Sequence, residues 1–234
     1  MGKALLVTAT DTGVGKTVVT GGLAVGFRRM ELVPGIFKPV ESGVVGEPLD
    51  GLFLKRCSAT SRPLEEVVPY RLAEPLAPAV AAERAGVRIS LEVIKARLED
   101  WRQAHPVTLV EGAGGLLVPI TGAFTYADLA RWLDLPILVV ARPSLGTINH
   151  TLLTVRLARA VGLRVLGVVI SGYPGEPGVA ERTSPEVIER MGDVEVLALV
   201  PKISGLSTEK GEMGELETYP WEELAGEVWE RMKY

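Results

Sequence analysis

Residues 10–17, Thr-Asp-Thr-Gly-Val-Gly-Lys-Thr, have the types and spacing that hold a phosphate. They follow an apolar run at 4–7 that reads as a buried strand, and Gly15-Lys16-Thr17 opens a run with helical spacing. Strand, glycine-bearing loop, then a helix beginning at Gly-Lys-Thr is the setting of a P-loop. In that setting loop and first-turn N–H groups converge on one point and favour an anion there. Lys16 reaches the terminal phosphates, and the Thr17 hydroxyl binds Mg²⁺. The strict pattern has glycine five residues before Gly15; this chain has Thr10.

Two carboxylates could share the cation with Thr17. Glu111 ends an apolar run at 107–110 and precedes Gly112-Ala113-Gly114-Gly115. A helix cap or a surface carboxylate is the plainer account of such a residue, but a charge between a buried strand and a glycine-rich turn favours a site. Asp50 opens a short helix, where an N-cap and a metal ligand are equally good accounts. Lys38 lies near the end of the strand predicted at 35–40 and leads into the polar stretch Glu41-Ser42-Gly43. Its position at a strand end favours a site role over a solvated lysine. Gly146-Thr147-Ile148-Asn149 begin a helix and offer either a second anion site or ordinary capping. His105, expected on the surface, and His150 lack metal-ligand spacing, so zinc is not expected. The single cysteine, Cys57, reads as a small core residue.

The elements that must position these residues alternate strand and helix. Runs at 4–7, 35–40, 107–110, 136–141, 165–170 and 194–200 are mostly apolar on consecutive positions rather than alternating. That is the pattern of a parallel sheet covered by helices on both faces, an α/β fold. Helices are predicted over 18–30, 91–103, 126–133, from the 144–149 stretch to about 161, over 184–191 with Pro185 in the first turn, and over 221–232. Stretches 69–78 and 201–214 read as loops. Small residues of the first helix, and Trp101, Trp132, Trp221 and Trp229, are expected to pack against the sheet. The motif-bearing loops all follow strands, so they should gather along one sheet edge, where such folds bind ligands.

A length of 234 residues suits one large α/β domain. A hydrophobic share of 47% against 23% charged is that of a globular protein with a substantial core. The net charge of −4 carries no nucleic-acid footprint. One cysteine excludes an internal disulfide and fits a reducing compartment. No apolar run is long enough for a bilayer, and the immediate first strand leaves no room for a signal peptide, so a cytoplasmic, non-membrane protein is expected.

Taken together, TDTGVGKT at 10–17, KPVESG at 38–43, DGLFL at 50–54, VEGAGG at 110–115 and LGTINHTLLT at 145–154 resemble the dethiobiotin synthetases, ATP-dependent ligases of biotin biosynthesis. The resemblance runs nearly end to end, and the combination is far more specific than a P-loop alone. Ala9 and Gly13 stand where the family pattern has Gly and usually Glu. The resemblance implies a P-loop nucleoside triphosphate hydrolase-like fold in which Thr12, Gly13, Val14, Gly15, Lys16, Thr17 and Val18 form the phosphate loop. It implies catalytic roles for Thr12, Lys16 and Lys38, and Mg²⁺ held by Thr17, Asp50 and Glu111. Glu111, Gly112, Ala113 and Gly114 would line nucleotide and substrate. The adenine would lie near Ser171, Gly172, Pro201, Lys202 and Ile203, with Ser171 where the family often has Asn. Ser42 would contact 7,8-diaminopelargonate, whose carboxylate would sit at a partner subunit's Gly146, Thr147, Ile148 and Asn149, which implies a homodimer. Substrates would be ATP, CO₂ and the diamine. On this reading Lys38→Ala spares folding and sharply lowers turnover.

Other P-loop readings fit less well. A glutamine-fed amidoligase needs a Cys-His glutaminase arrangement that this chain lacks. A partitioning-type switch ATPase usually has an early loop lysine at the position of Asp11, and a GTPase would show Asn-Lys-x-Asp.

Overall fold

The computed structural model describes residues 1–233. In chain order the elements are β1 (Lys3–Ala9), α1 (Lys16–Arg29), β2 (Pro34–Phe37), β3 (Val40–Ser42), α2 (Leu49–Ser58), α3 (Leu64–Val67), β4 (Tyr70–Leu72), α4 (Pro78–Ala85) and α5 (Leu91–Ala104). Then come β5 (Val107–Gly115), β6 (Pro119–Thr121), β7 (Phe124–Thr125), α6 (Tyr126–Trp132), β8 (Ile137–Ala141), α7 (Thr147–Ala160) and β9 (Val165–Tyr173). The chain finishes with α8 (Val179–Gly192), β10 (Val196–Pro201), β11 (Leu206–Ser207), β12 (Glu212–Met213), a 3₁₀ turn at Leu216–Thr218, and α9 (Trp221–Arg231).

Six strands form one parallel sheet in the order β10-β9-β8-β1-β5-β2. The crossover from β1 to β2 runs one way along the sheet, and those into β5, β8, β9 and β10 run the other. Right-handed crossovers therefore put α1 on the face opposite α5 to α8. α9 packs on α1, and α7 packs on α8. The chain reverses direction beside β1, which makes the crevice beyond its C-terminal end the natural ligand site. Register fixes what meets there. Val7 of β1 pairs with Glu111, and Phe37 of β2 pairs with Val110, so Lys38 emerges level with Glu111.

Several expectations change. The strand expected at 35–40 breaks at Lys38-Pro39, because proline has no N–H for the ladder. The Lys38 N–H donates instead to the Val67 carbonyl at 2.8 Å. Residues 40–42 then pair with 70–72, which lie inside a stretch expected to be loop. Pro78, at the end of that stretch, starts α4 at its first turn, where a missing N–H costs nothing. β5 continues through Gly115, so Glu111 to Gly114 are strand rather than turn. The helix expected at 184–191 begins at 179, which puts Pro185 in its interior. Pro185 cannot donate to the Glu181 carbonyl, and the Tyr173 hydroxyl fills the gap at 3.0 Å. The final strand begins at Val196, and the expected loop at 201–214 holds the short β11–β12 hairpin.

The small residues of α1 meet helices rather than the sheet. A Cβ on Gly21 would lie 2.7 Å from Phe53 in α2, and one on Gly22 would collide with the Trp221 ring. Trp101 and Trp221 are fully buried, whereas Trp132 stays exposed against Phe124 with ring centroids 6.1 Å apart. Cys57 is buried as expected, and burial pushes its thiol up to about 12. His105 is half-buried rather than at the surface. It stacks on Trp101 at 5.2 Å, and burial lowers its pKa.

Candidate active site

The P-loop connects β1 to α1. Gly15 precedes the helix at φ 93°. A Cβ there would be strained, and it would also collide with Ser171 Oγ. No side chain among the described residues caps α1, so its first-turn N–H groups remain available to an anion. A cleft of about 410 Å³ opens over them, lined by Thr12, Gly13, Gly15, Lys16, Thr17, Val18, Lys38, Glu41, Ser42, Asp50, Ala113, Gly114, Thr208 and Glu209. β1, β2, β5, α1 and α2 thus deliver residues far apart in sequence to one place.

Lys38 is the hub of the cleft floor. Its Nζ lies 2.6 Å from Glu111 Oε1 and 3.1 Å from Asp50 Oδ2. The Thr17 hydroxyl donates to the same Glu111 Oε1 at 3.0 Å. Burial alone would lower the Lys38 pKa. The Glu111 charge, followed by those of Asp50 and Glu41, more than reverses this and holds the ammonium well above the usual lysine range. Asp50 shows the mirror image. Burial raises its pKa, but Lys38 dominates with help from Lys16 and the Thr17 hydroxyl, and the carboxyl ends below its ordinary value. Lys16 is pulled down by burial and by Lys38, against Glu111 and Asp50. Lys16 makes no ion pair among the described residues.

Thr17, Asp50 and Glu111 therefore converge on one spot. Glu111 is 0% exposed, and its Oε2 has no hydrogen-bond partner among the described residues. A hydroxyl, two carboxylates and a spare buried oxygen suit a hard, oxygen-ligated cation such as Mg²⁺. No group of three His, Cys, Asp or Glu residues able to hold a metal occurs among the described residues. Both histidines lie outside the cleft; His150 faces Arg142 at 3.3 Å.

Ser171, Gly172, Pro201, Lys202 and Ile203 line a second cavity of about 320 Å³, which shares Gly13, Gly15 and Val18 with the first. The two cavities adjoin along the P-loop. Gly112 does not line the cleft but lies against the Tyr126 ring. Gly146, Thr147, Ile148 and Asn149 also stay outside it. Gly146 precedes α7 at φ 93°, Thr147 is buried and Asn149 is exposed. A third, mainly apolar groove of about 460 Å³ lies between the start of the P-loop at Ala9–Thr12 and α7, walled by Leu116, Leu117, Leu153 and Leu157.

The sequence reading passed over Glu41, Thr208 and Glu209 as site residues. Glu41 carried the same signal that singled out Glu111, a charge between a buried apolar residue and a glycine turn. Thr208 and Glu209 sit on the β11–β12 hairpin, whose strands are too short to show any period.

Fold and cleft together define a P-loop nucleotide-binding protein. A family model described as an AAA domain matches residues 3–210. The solved cell division ATPase MinD of Pyrococcus furiosus superposes with a TM-score of 0.64 at 16% identity, covering 98% of this chain and 99% of that one. A ParA family ATPase from Chlorobium tepidum gives 0.58 at 11%, covering all of both chains. At such identities the likeness is one of fold. Sequence relatives are nearer. An ATP-dependent dethiobiotin synthetase of Bacillus velezensis is 42% identical over 209 residues, which are 88% of this chain and 90% of that protein. One of Aquifex aeolicus is 43% identical over 206 residues, 88% and 92% of the respective lengths. The chain belongs to the ATP-dependent dethiobiotin synthetase family.

Proposed function

We infer that the protein is a dethiobiotin synthetase, an ATP-dependent ligase that forms C–N bonds and closes the cyclic urea of dethiobiotin. The observation that carries the residue-level reading is the single cleft in which the P-loop, Lys16 and the Lys38–Glu111–Asp50–Thr17 cluster meet Ser42. Its substrates are 7,8-diaminopelargonate, CO₂ and ATP. One substrate amine takes up CO₂ as a carbamate. A carbamate oxygen attacks the γ-phosphorus of ATP, and ADP leaves. The second amine then attacks the carbonyl carbon of the mixed anhydride, closing the ring as phosphate departs. The nucleophiles come from the substrates, so the protein's work is positioning and charge neutralisation.

Each residue has a part in this. First-turn N–H groups and the loop from Thr12 to Val18 cradle the phosphates, and Lys16 meets their charge. Lys38, held protonated, faces the carbamate and the transferring phosphoryl group. Ser42 contacts the diamine. Thr17, Asp50 and Glu111 would hold Mg²⁺, which supplies charge neutralisation on the phosphate oxygens when bound. The nucleoside occupies the adjoining cavity beside Ser171 and Ile203. A second copy of the chain would present its Gly146–Asn149 turn to the substrate carboxylate. The exposed leucines beside that turn, Leu117, Leu153 and Leu145, the last 87% exposed, support a homodimer contact there. No helix among the described residues is long and apolar enough to cross a membrane.

The test combines purified protein, ATP, Mg²⁺, 7,8-diaminopelargonate and labelled bicarbonate, with mass spectrometry as the readout. Labelled dethiobiotin that depends on every component supports the reading. Folded, ATP-binding protein that yields none refutes it.

A further inference from the structure

Glu41 is a buried carboxylate, 7% exposed, in the wall of the phosphate cleft. Both its oxygens point at the start of α2. Oε1 accepts from the Asp50 N–H at 3.1 Å, and Oε2 from the Gly51 N–H at 2.9 Å. The residue that precedes α2 is Pro48, whose side chain has no acceptor to offer the free N–H groups of the first turn. Glu41, nine residues earlier in the chain, does what an N-cap side chain normally does, and its negative charge also suits the positive end of the helix.

We propose that Glu41 is a positioning residue that, by capping α2 from β3, sets Asp50 against Lys38 and into the cation-binding corner of the cleft. The proposal rests on the reading of Asp50 as a Mg²⁺ ligand. Three observations support it. Asp50 is itself one of the two capped residues, so the bond fixes the backbone that carries the carboxylate 3.1 Å from Lys38. A Cβ at Gly51 would collide with Val68 and sit 3.4 Å from Glu41 Oε2, so the first turn of α2 is built for close approach to this carboxylate. Finally, the arrangement is held against a cost. Glu41 is only 7% exposed, so its carboxylate gives up hydration to reach the two N–H groups. A carboxylate that served only to cap a helix could do so from the surface without that cost.

The experiment is calorimetric titration of ATP, in Mg²⁺ and in EDTA, into the parent, Glu41→Ala, Glu41→Gln, Asp50→Asn and the Glu41→Ala/Asp50→Asn double variant. Loss of a cap at a ligand-bearing turn corresponds to roughly a tenfold loss of affinity. Glu41→Ala should show about that loss in Mg²⁺ and little in EDTA. Glu41→Gln keeps one acceptor oxygen and should recover part of it. In the Asp50→Asn background Glu41→Ala should add less than about twofold, because both act through one group. Equal losses in Mg²⁺ and EDTA, an undiminished loss in the Asp50→Asn background, or parental affinity in both Glu41 variants would overturn the proposal. Should Glu41→Ala not fold, Glu41→Gln decides by the same Mg²⁺-against-EDTA comparison. No diamine is present in these titrations. A parent protein that makes no dethiobiotin would refute the ligase reading while leaving the Glu41 result intact.

Discussion

Replacing Lys38 by Met keeps an unbranched side chain of similar length and removes only the charge. Lys38 is buried, and the Glu111 carboxylate 2.6 Å from its Nζ has no water contact at all. At an effective dielectric of about 20, opposite charges at that separation attract by roughly 6 kcal/mol before desolvation is counted. Removing one partner strands the other in the interior, which typically costs about 3–5 kcal/mol. For a chain of this size that is a fall in Tm of roughly 6–20 °C. The expectation that a Lys38 truncation spares folding therefore gives way to one in which stability and turnover are lost together. Thermal unfolding of the ligand-free protein, followed by circular dichroism, is the assay. Lys38→Met/Glu111→Gln should recover much of the lost Tm, since no charge is left stranded, yet stay inactive. The deficit should also be flat across neutral pH. The raised Lys38 pKa means that its contribution is full below the ordinary lysine range and is lost only as pH rises through the elevated value. A Lys38→Met Tm within about 2 °C of the parent, less than one kcal/mol of stability at this size, would refute the reasoning. So would a Glu111→Gln change that deepened the loss.

Gly15→Ala should weaken ATP binding by at least about tenfold, because φ 93° and the Ser171 hydroxyl both exclude a Cβ; parental affinity by calorimetry would contradict this. Gly22→Ala gains about 1 kcal/mol of helix propensity but drives a methyl into the Trp221 ring, and overpacking costs about 1–3 kcal/mol. The indole is tethered by its N–H to the Leu216 carbonyl at 2.8 Å, so urea unfolding should show a net loss, and a stabilised variant would show that the ring yields. Glu41 has a folded pKa of about 7, above the ordinary value of 4.5, so the protonated carboxyl contributes stability that is full below the lower figure and lost as pH rises through the upper one. Relative to Glu41→Gln, the parent should therefore lose stability between about pH 5 and pH 8 in urea titrations, and a relative gain over that interval would show the sign to be wrong.

Parallel strands buried on both faces are apolar along most of their length, so β1, β5, β8 and β9 were legible in the sequence, as were the glycine loop and the order of the motifs. The pairing of Lys38 with Glu111 was not. Thr17, Lys38, Asp50 and Glu111 stand on or beside four different elements; residue chemistry grouped Thr17 with the two carboxylates, but no motif tied Lys38 to Glu111. What joins them is sheet order, β1 beside β5 beside β2, together with a register that sets Glu111 level with Lys38. No local pattern encodes that. Glu41 carried a local signal like that of Glu111, but its partners did not show in sequence: its hydrogen bonds reach nine and ten residues along the chain, beyond any helix or turn spacing. Pro185 misled because its missing donor is compensated by Tyr173, which lies on another element.

The two cleft lysines illustrate why residue type alone does not settle a role. Lys38 is neutralised in place by Glu111 and Asp50, whereas Lys16 has no ion pair among the described residues and burial works against its charge. Lys38 thus belongs to the folded structure's own electrostatics, and on the proposed reading Lys16 would be the cation that meets an incoming phosphate. Lys16→Met should separate the two. Its folded pKa lies below the ordinary lysine value, so folding disfavours the charged form, and removing the charge should leave the ligand-free Tm unchanged or raise it. ATP affinity should nevertheless fall steeply on the proposed reading, since the loop loses a cation that makes no ion pair among the described residues. Thermal unfolding of Lys16→Met beside Lys38→Met, with ATP titrations on both, checks the contrast. A Lys16→Met Tm depressed as far as that of Lys38→Met would mean that Lys16 is also spent on the fold, and the division of labour between the two lysines would fail.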